Sequence, residues 1–331
     1  MRIDISVIIC CYNSEEKIEQ TLSHLAQQHL SPNTAAEIVL VNNKSTDQTV
    51  VKAKTTWEKL NAPFSLIIID EQTPGLNHAR KAGVENSMGH FIVFCDDDNW
   101  LDKNYLETVI EYFNSDPSIA IIGGTGQAVF EHQKPWWFDY FCHGYAVGKP
   151  LPKEGYLNSV YGAGMGIRKD ILTSKAFNAL PLLLSDRKGT GLSSGGDSEI
   201  CLRIRLLGYK VLYSEKLGFK HSLTNNRLTW AYLKKLHLGF AHASIFLGLY
   251  EHALNNNKPL HRFYWLKKSV FYFGRSIKYT LLHLDLVLGK NEGRMEIVNL
   301  NTWWLLAGKY LKYNFQLNKK YTLISKIKQQ V

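Results

Sequence analysis

Over its first hundred residues the chain alternates short, continuously apolar runs with polar stretches of helix length. The runs span 5–11, 37–43, 64–70 and 90–95, and the stretches between them span 15–28, 47–60 and 76–86. Apolar runs without alternation suit strands covered on both faces, as in a parallel sheet. The order β-α-β-α-β-α-β therefore predicts an α/β fold with right-handed crossovers. Asp47 or Ser45 is placed to cap the second helix. Farther on the rhythm is less regular. A helix is expected over 104–114, a strand over 120–123, and a long aromatic loop region over 126–160 with Trp136, Trp137, Tyr140, Tyr145 and Tyr156. A Gly-rich strand or turn follows over 162–167, then a strand over 210–213.

In open α/β sheets ligands gather beyond the carboxyl ends of the strands. Those ends hold the unusual polar residues of this sequence: Cys11-Tyr12-Asn13, Asn42-Asn43, Asp70-Glu71 and Asp96-Asp97-Asp98. Four strand ends thus converge on one polar site. Three adjacent carboxylates repel one another, and a divalent cation such as Mn²⁺ or Mg²⁺ relieves this by taking oxygen ligands. A solvated acidic turn capping a helix near Asp102 or Asn104 explains the triplet equally well. A second feature is Gly195-Gly196-Asp197, followed by Ile200, Ile204 and Leu207 at helical spacing. Taken alone, Asp197 reads as an N-cap.

Charge divides the chain. Residues 1–215 hold 20 Lys and Arg against 25 Asp and Glu, a net of −5, and residues 216–331 hold 19 against 4, a net of +15. The basic character belongs to the last third, which could meet nucleic acid, an acidic partner or an anionic membrane. No nucleic-acid-binding motif occurs there, so nucleic acid is not an expected partner. No apolar segment of about 18–20 uncharged residues occurs either, which argues against a spanning helix. The apolar run at the start carries no small-residue cleavage site, so the expected location is cytoplasmic. Five cysteines cannot all pair, and Cys10, Cys11 and Cys95 read as core residues.

Together the strand ends, the Asp triplet and the later Asp resemble the family 2 glycosyltransferases, whose catalytic domain has the nucleotide-sugar-binding GT-A fold. The likeness runs over roughly the first two-thirds of the chain. It rests on Tyr12-Asn13, on the stretch from Val41 to Asp47, on Gly75 to Gly83 containing Ala79-Arg80, on Asp96-Asp97-Asp98, and on Asp197. The resemblance implies a GT-A domain with a mainly parallel central sheet over 1–222, its nucleotide-sugar half at 1–100 and its acceptor half at 101–222. A basic, mainly helical extension over 223–331 follows. It implies donor contacts from Cys11, Tyr12, Asn13, Asn42, Asn43, Arg80, Asp96 and Asp97, with Asn42 standing where the family usually has Asp. A divalent cation is implied at Asp96 and Asp98, with His221 as a further ligand. Gly164, Met165 and Gly196 are implied on the acceptor side, Gly196 replacing the Glu that often precedes the base.

Asp197 falls on the family's general base, which makes the implied chemistry inverting transfer of a sugar from a nucleotide-diphosphate donor to a hydroxyl of a glycan or lipid-linked glycan. A nucleotidyltransferase and a non-catalytic sugar-binding protein are the rival readings. The first usually needs a basic, Gly-rich loop after the first strand, where this chain has Ser14-Glu15-Glu16. The segment 260–289 mixes aromatic and aliphatic residues with Arg262, Lys267, Lys268, Arg275 and Lys278, which suits helices lying on the inner face of an anionic cytoplasmic membrane. Much of 227–250 is expected instead to pack on the catalytic domain.

Overall fold

The computed structural model describes residues 2–184, 194–256, 260–261, 263–285, 289 and 294–329. The four N-terminal apolar runs form β1 (Ile5–Cys11), β2 (Ala36–Asn42), β3 (Ser65–Asp70) and β4 (Phe91–Asp96), parallel in the order β3-β2-β1-β4. Because successive side chains point to opposite faces, the strands feed two cores. Val7 and Ile9 pack with Ile18 and Leu22 of α1 (Ile18–Ala26) and with Ala53 and Trp57 of α2 (Thr49–Lys59). Ile8, Val39 and Val41 pack on the other face with Ala79 and Ala82 of α3 (Leu76–Asn86). α3 lies so close that a Cβ at Gly83 would stand 2.4 Å from Ile8 Cγ2. The first residue of α2 is Thr49, whose N–H donates to Asp47 Oδ1 (3.1 Å); Asp47 holds the helix start from one residue before the N-cap Gln48.

Beyond β4 the sheet continues as β8-β6-β9-β5, with β7 also paired to β9. These are β5 (Asn99–Leu101), β6 (Ile119–Phe130), β7 (Gly155–Tyr156), β8 (Met165–Arg168) and β9 (Lys210–Leu223). β8 runs antiparallel to β4 and β6, while β6 and β9 are parallel. The sheet is therefore wholly parallel over β3-β2-β1-β4 and mixed beyond. α4 (Tyr105–Ser115), the short α5 (Lys169–Leu172) and α6 (Lys175–Ala179), and α7 (Gly196–Leu206) complete this part.

One expectation changes here. The strand at 120–123 extends to Phe130 after a register break between Gly123 and Thr125, so 126–160 is not one long loop. Its aromatics divide: Trp137, Phe138, Phe141 and Tyr145 are buried with Leu233 and Leu236 from the C-terminal part, while Trp136, Tyr140 and Tyr156 are exposed. Trp137 meets Trp230 edge-on at 5.7 Å. The sequence pattern could not show that a helix a hundred residues later covers this segment.

That helix is α8 (Trp230–Asn255), capped by Thr229 Oγ1, which accepts from Tyr232 N–H (3.2 Å). α9 (Tyr264–Leu282) and α10 (Met295–Lys328) follow. α8 packs as expected, burying Ile245, Leu249 and Tyr250 against Leu202 and Leu206 of α7. The 260–289 segment is only half a surface element, because Trp265 and Tyr272 turn inward and stack on Tyr310 of α10 at 5.7 and 5.9 Å. Arg262 and residues 286–288 lie outside the described residues. Among the described residues no helix is long and apolar enough to cross a membrane.

Candidate active site

The loops after β1, β2 and β3 are tied together by asparagine amides. Asn13 takes a left-handed backbone (φ 52°), its Oδ1 accepts from Thr46 N–H (2.8 Å), and its own N–H donates to Ser45 Oγ (3.1 Å). Asn42 Nδ2 donates to Asp70 Oδ1 (2.8 Å), and Asn42 Oδ1 accepts from Ser45 N–H (3.1 Å). Asn43 Nδ2 donates to the carbonyls of Glu71 (3.1 Å) and Thr73 (2.8 Å), while its Oδ1 accepts from Gly75 N–H (2.8 Å). These amides spend their hydrogen bonds within the protein. Of the three, Asn43 alone borders the cleft described below, whereas Cys11 and Tyr12 both do. The Cys11 side chain is buried and its thiol is pushed up by burial; the Tyr12 ring is 57% exposed.

The Asp triplet resolves its repulsion by sending three carboxylates to different surroundings. Asp96 ends β4 and borders the cleft. Asp97 accepts from the Ser14 hydroxyl and lies 3.9 Å from Lys17 Nζ, while its carbonyl accepts from the Thr21 hydroxyl (2.8 Å). Its carboxyl is pushed up to about 6 by burial and by the charge of Asp98, against the pull of Lys17 and Ser14. Asp97 thus braces the first loop from the cleft floor. Asp98 is buried, and burial alone would raise it, but His221, when its ring is protonated, and the Arg227 guanidinium outweigh that and hold it well below the usual carboxylate range. Arg227 Nη1 donates to Asp98 Oδ2 at 2.8 Å, and His221 Nε2 lies 3.5 Å from Asp98 Oδ1.

β5 pairs antiparallel with β9, with Asn99 opposite His221, and this register brings His221 to the triplet. His221 Nδ1 lies 2.7 Å from the carbonyl oxygen of Tyr145. A carbonyl only accepts, so Nδ1 carries the proton and Nε2 of the neutral ring is an acceptor. That lone pair and the Asp98 carboxylate face one point, which Arg227 Nη1 fills, 3.1 Å from Nε2 and 2.8 Å from Oδ2. An oxygen and an imidazole nitrogen oriented by an outer carbonyl are suitable ligands for Mn²⁺. Among the described residues no three His, Cys, Asp or Glu groups converge as a ready cage, and Asp96 is not drawn into this pair. A cation there would take its other ligands from water and phosphate oxygens, as Mg²⁺ sites commonly do.

Across the cleft α7 begins with Gly195 as its N-cap in the left-handed region (φ 100°), so Asp197 belongs to the first helical turn and is not the cap. Asp197 Oδ2 accepts from Gly162 N–H (2.9 Å) and Oδ1 from Ser198 N–H (2.8 Å). A Cβ on Gly162 would stand 3.1 Å from Asp197 Oδ2 and 3.3 Å from Arg80 Nη2, which puts the carboxylate and the guanidinium together beside one glycine. Arg80 is buried and lies over the Phe94 ring at 5.4 Å. The glycines expected on the acceptor side fare otherwise. Gly164 (φ 71°) gives its carbonyl to the Tyr105 hydroxyl (2.8 Å), and a Cβ there would meet that hydroxyl at 2.4 Å. Met165 is fully buried beside Cys201, and Gly196 is buried in the first turn of α7. None of the three borders the cleft; their neighbours Gly162, Ala163 and Gly195 do.

The cleft has a volume of about 890 Å³ and is bordered by Asp96, Asp98, His221, Arg227, Arg80 and Asp197 together. Its far wall comes from α8, through Phe240, Ala243 and Leu247. A Cβ on Gly195 would touch Ala243 Cβ at 3.0 Å. Behind Asp197, buried Glu199 accepts from Leu183 N–H (2.5 Å), Leu184 N–H (3.0 Å) and the Tyr250 hydroxyl (2.8 Å), so α7 is fastened to α8. Arg227, Lys17, Ser14 and Glu199 were not singled out from the sequence. Arg227 follows His221 by six residues, but nothing in that spacing points back to Asp98.

Comparison with known proteins fits this geometry. The model of the family described as "Glycosyl transferase family 2" matches residues 6–173. The chain belongs to glycosyl transferase family 2. This glycosyltransferase is 20% identical over 243 residues to the glucosyl-dolichyl phosphate glucuronosyltransferase of Haloferax volcanii, covering 69% of this chain and 72% of that protein. It is 30% identical over 138 residues to the poly(ribitol-phosphate) β-N-acetylglucosaminyltransferase TarS of Staphylococcus aureus, covering 39% of this chain but only 24% of TarS. In fold it resembles TarS 1-349 in complex with UDP-GlcNAc, with a TM-score of 0.56 at 15% identity over 99% of this chain and 91% of that one. It also resembles the mannosyltransferase PcManGT of Pyrobaculum calidifontis in complex with GDP-Man and Mn²⁺, with a TM-score of 0.59 at 15% identity over 94% and 88%. The GT-A-like α/β fold with a C-terminal helical region is thereby established.

Proposed function

We propose that this family 2 glycosyltransferase moves a sugar, with inversion, from a nucleotide-diphosphate donor, most simply a UDP-sugar, to a hydroxyl of a glycan or lipid-linked glycan. The observation that carries the reading is the shared cleft: the Asp98–His221 pair and Asp197 border one space, with Arg80 beside Asp197. Residues 1–222 act as the catalytic domain, and 223–331 as an extension that supplies Arg227 and one wall. A UDP-sugar and a GDP-sugar bound to fold relatives support the donor class, and Mn²⁺ in one of them supports the metal.

In this reading the exposed Tyr12 ring offers a face to the base, and Asp96 lies near the donor. Asp98 and His221 hold Mn²⁺ or Mg²⁺, which when bound supplies positive charge for the departing diphosphate. Arg80 adds a fixed cation at the reacting centre. Asp197, oriented by the Gly162 and Ser198 N–H groups, takes the proton of the acceptor hydroxyl. The acceptor oxygen bonds to the anomeric carbon as the bond to the diphosphate breaks on the opposite face. One displacement needs one base, so no covalent sugar intermediate enters. The test is an array of nucleotide sugars screened by thermal shift with Mn²⁺, followed by assay of free nucleotide diphosphate. A donor that both stabilises the protein and is cleaved supports transfer, whereas binding without any release favours a sugar-binding protein.

A further inference from the structure

α9 and α10 lie side by side, joined by the Ser269 hydroxyl, which donates to the Ala307 carbonyl (2.7 Å), and by the rings stacked on Tyr310. Their inward faces are thus fully used. Their outward faces are apolar too. Along α9, Val270, Phe273, Ile277 and Leu281 succeed one another at steps of three and four residues, 65, 49, 39 and 67% exposed. Such steps put them in one stripe on a helix. On α10, Trp304, Leu311 and Phe315 form a second stripe, 41, 61 and 86% exposed. The Phe273 and Trp304 rings meet edge to face at 5.5 Å, which joins the stripes into one surface.

Charge says what covers it. α9 carries Lys267, Lys268, Arg275 and Lys278 and no carboxylate; α10 carries six lysines and only Glu296. Lys267 and Lys278 stand beyond the apolar stripe on α9, and Lys312 beside that on α10, all three exposed. Exposed apolar side chains joined into one contiguous surface mark an interaction site. A second copy docking face to face would set Lys267, Lys278 and Lys312 against their own counterparts. An anionic bilayer satisfies both features, because the apolar side chains enter the acyl boundary while lysines meet the headgroups. We propose that the α9–α10 face binds the surface of an anionic lipid bilayer without crossing it. The docking stands on this face alone; that it presents a lipid-linked acceptor to the cleft rests on the glycosyl-transfer reading.

The experiment is flotation of the full chain with vesicles of phosphatidylcholine alone and of phosphatidylcholine with phosphatidylglycerol, at low and high salt. The protein is expected to float with the anionic vesicles at low salt and to be released by salt, since screening weakens the attraction. Leu281→Glu with Phe315→Glu should lower the bound fraction at least tenfold. Lys267→Glu and Lys312→Glu should each lower it by about fivefold or more. Release of nucleotide diphosphate from a donor, measured without vesicles, should be unchanged in all these variants, which separates failure of docking from failure of the enzyme reading. Equal failure to float on both vesicles, or flotation insensitive to the variants, overturns the proposal. Dimerisation lost on Phe315→Glu, with no flotation, would assign the face to a second copy instead.

Discussion

Arg227→Met tests the polar centre directly. Among the described residues Arg227 Nη1 supplies the one positive charge within 3 Å of Asp98, and the two side chains are 18 and 8% exposed. Removing one member of a buried ion pair costs about 3–5 kcal/mol, because the other is left charged and dry. The partial exposure of Arg227 places the expected loss at the lower end, about 3 kcal/mol. The same vacancy is where a divalent cation would sit. Mn²⁺ at a hundred times its Kd should therefore return about 2.7 kcal/mol to the variant. The wild type should gain less, since there the cation must displace the guanidinium. Urea unfolding with and without Mn²⁺ measures both quantities, and electron paramagnetic resonance of free Mn²⁺ gives the affinity independently. A variant within 1 kcal/mol of wild type, stabilised by Mn²⁺ to the same extent, would refute the idea that Arg227 and the metal share Asp98.

Three further outcomes follow from the same geometry. Asp197→Asn keeps the shape and cannot accept a proton, so transfer should fall by at least about a hundredfold with donor affinity nearly unchanged; near-normal turnover in a coupled diphosphate-release assay would remove Asp197 as the base. Excess chelator should abolish transfer, and Asp98→Ala should lose both donor affinity and the response to Mn²⁺ in titration calorimetry; full activity in chelator takes the metal out of the mechanism. Glu199→Gln turns an acceptor oxygen into an NH₂ facing donors from Leu183, Leu184 or Tyr250, at a cost of about 1–3 kcal/mol by urea unfolding. An unchanged unfolding midpoint would show that this fastening carries no stability.

The parallel half of the fold was legible because β1, β2 and β4 are buried on both faces, with β3 half-buried at the edge, and their sequences say so without reference to anything distant. Of the second half only pieces were legible, a helix over 104–114 and strand segments over 120–123, 162–167 and 210–213, without their full lengths or their order in the sheet. β8 and β9 earn their places by pairing with β4, β6 and β5, and strand partners far apart in sequence leave no periodic trace. Residue chemistry was legible in kind more than in direction. Asp96, Asp98, Arg80, His221 and Asp197 do border one cleft, yet Asp97 turns to Ser14 and the amides of Asn13 and Asn42 are consumed by neighbouring loops. Gly164 and Met165 were expected one or two residues too far along. The open turn lies at Gly162, and by Met165 the chain has re-entered the sheet.

The match to the family ends at residue 173, whereas Asp197, His221, Arg227 and the α8 wall come after it. The cleft is therefore assembled from two stretches of chain that can drift at different rates. Changes around Tyr12 and Arg80 would retune one side of the chamber without disturbing Phe240 and Leu247, and the reverse also holds. Exchange of the last third between relatives becomes a route to new product linkages, provided the newcomer brings a cation for Asp98 and a hydroxyl for Glu199.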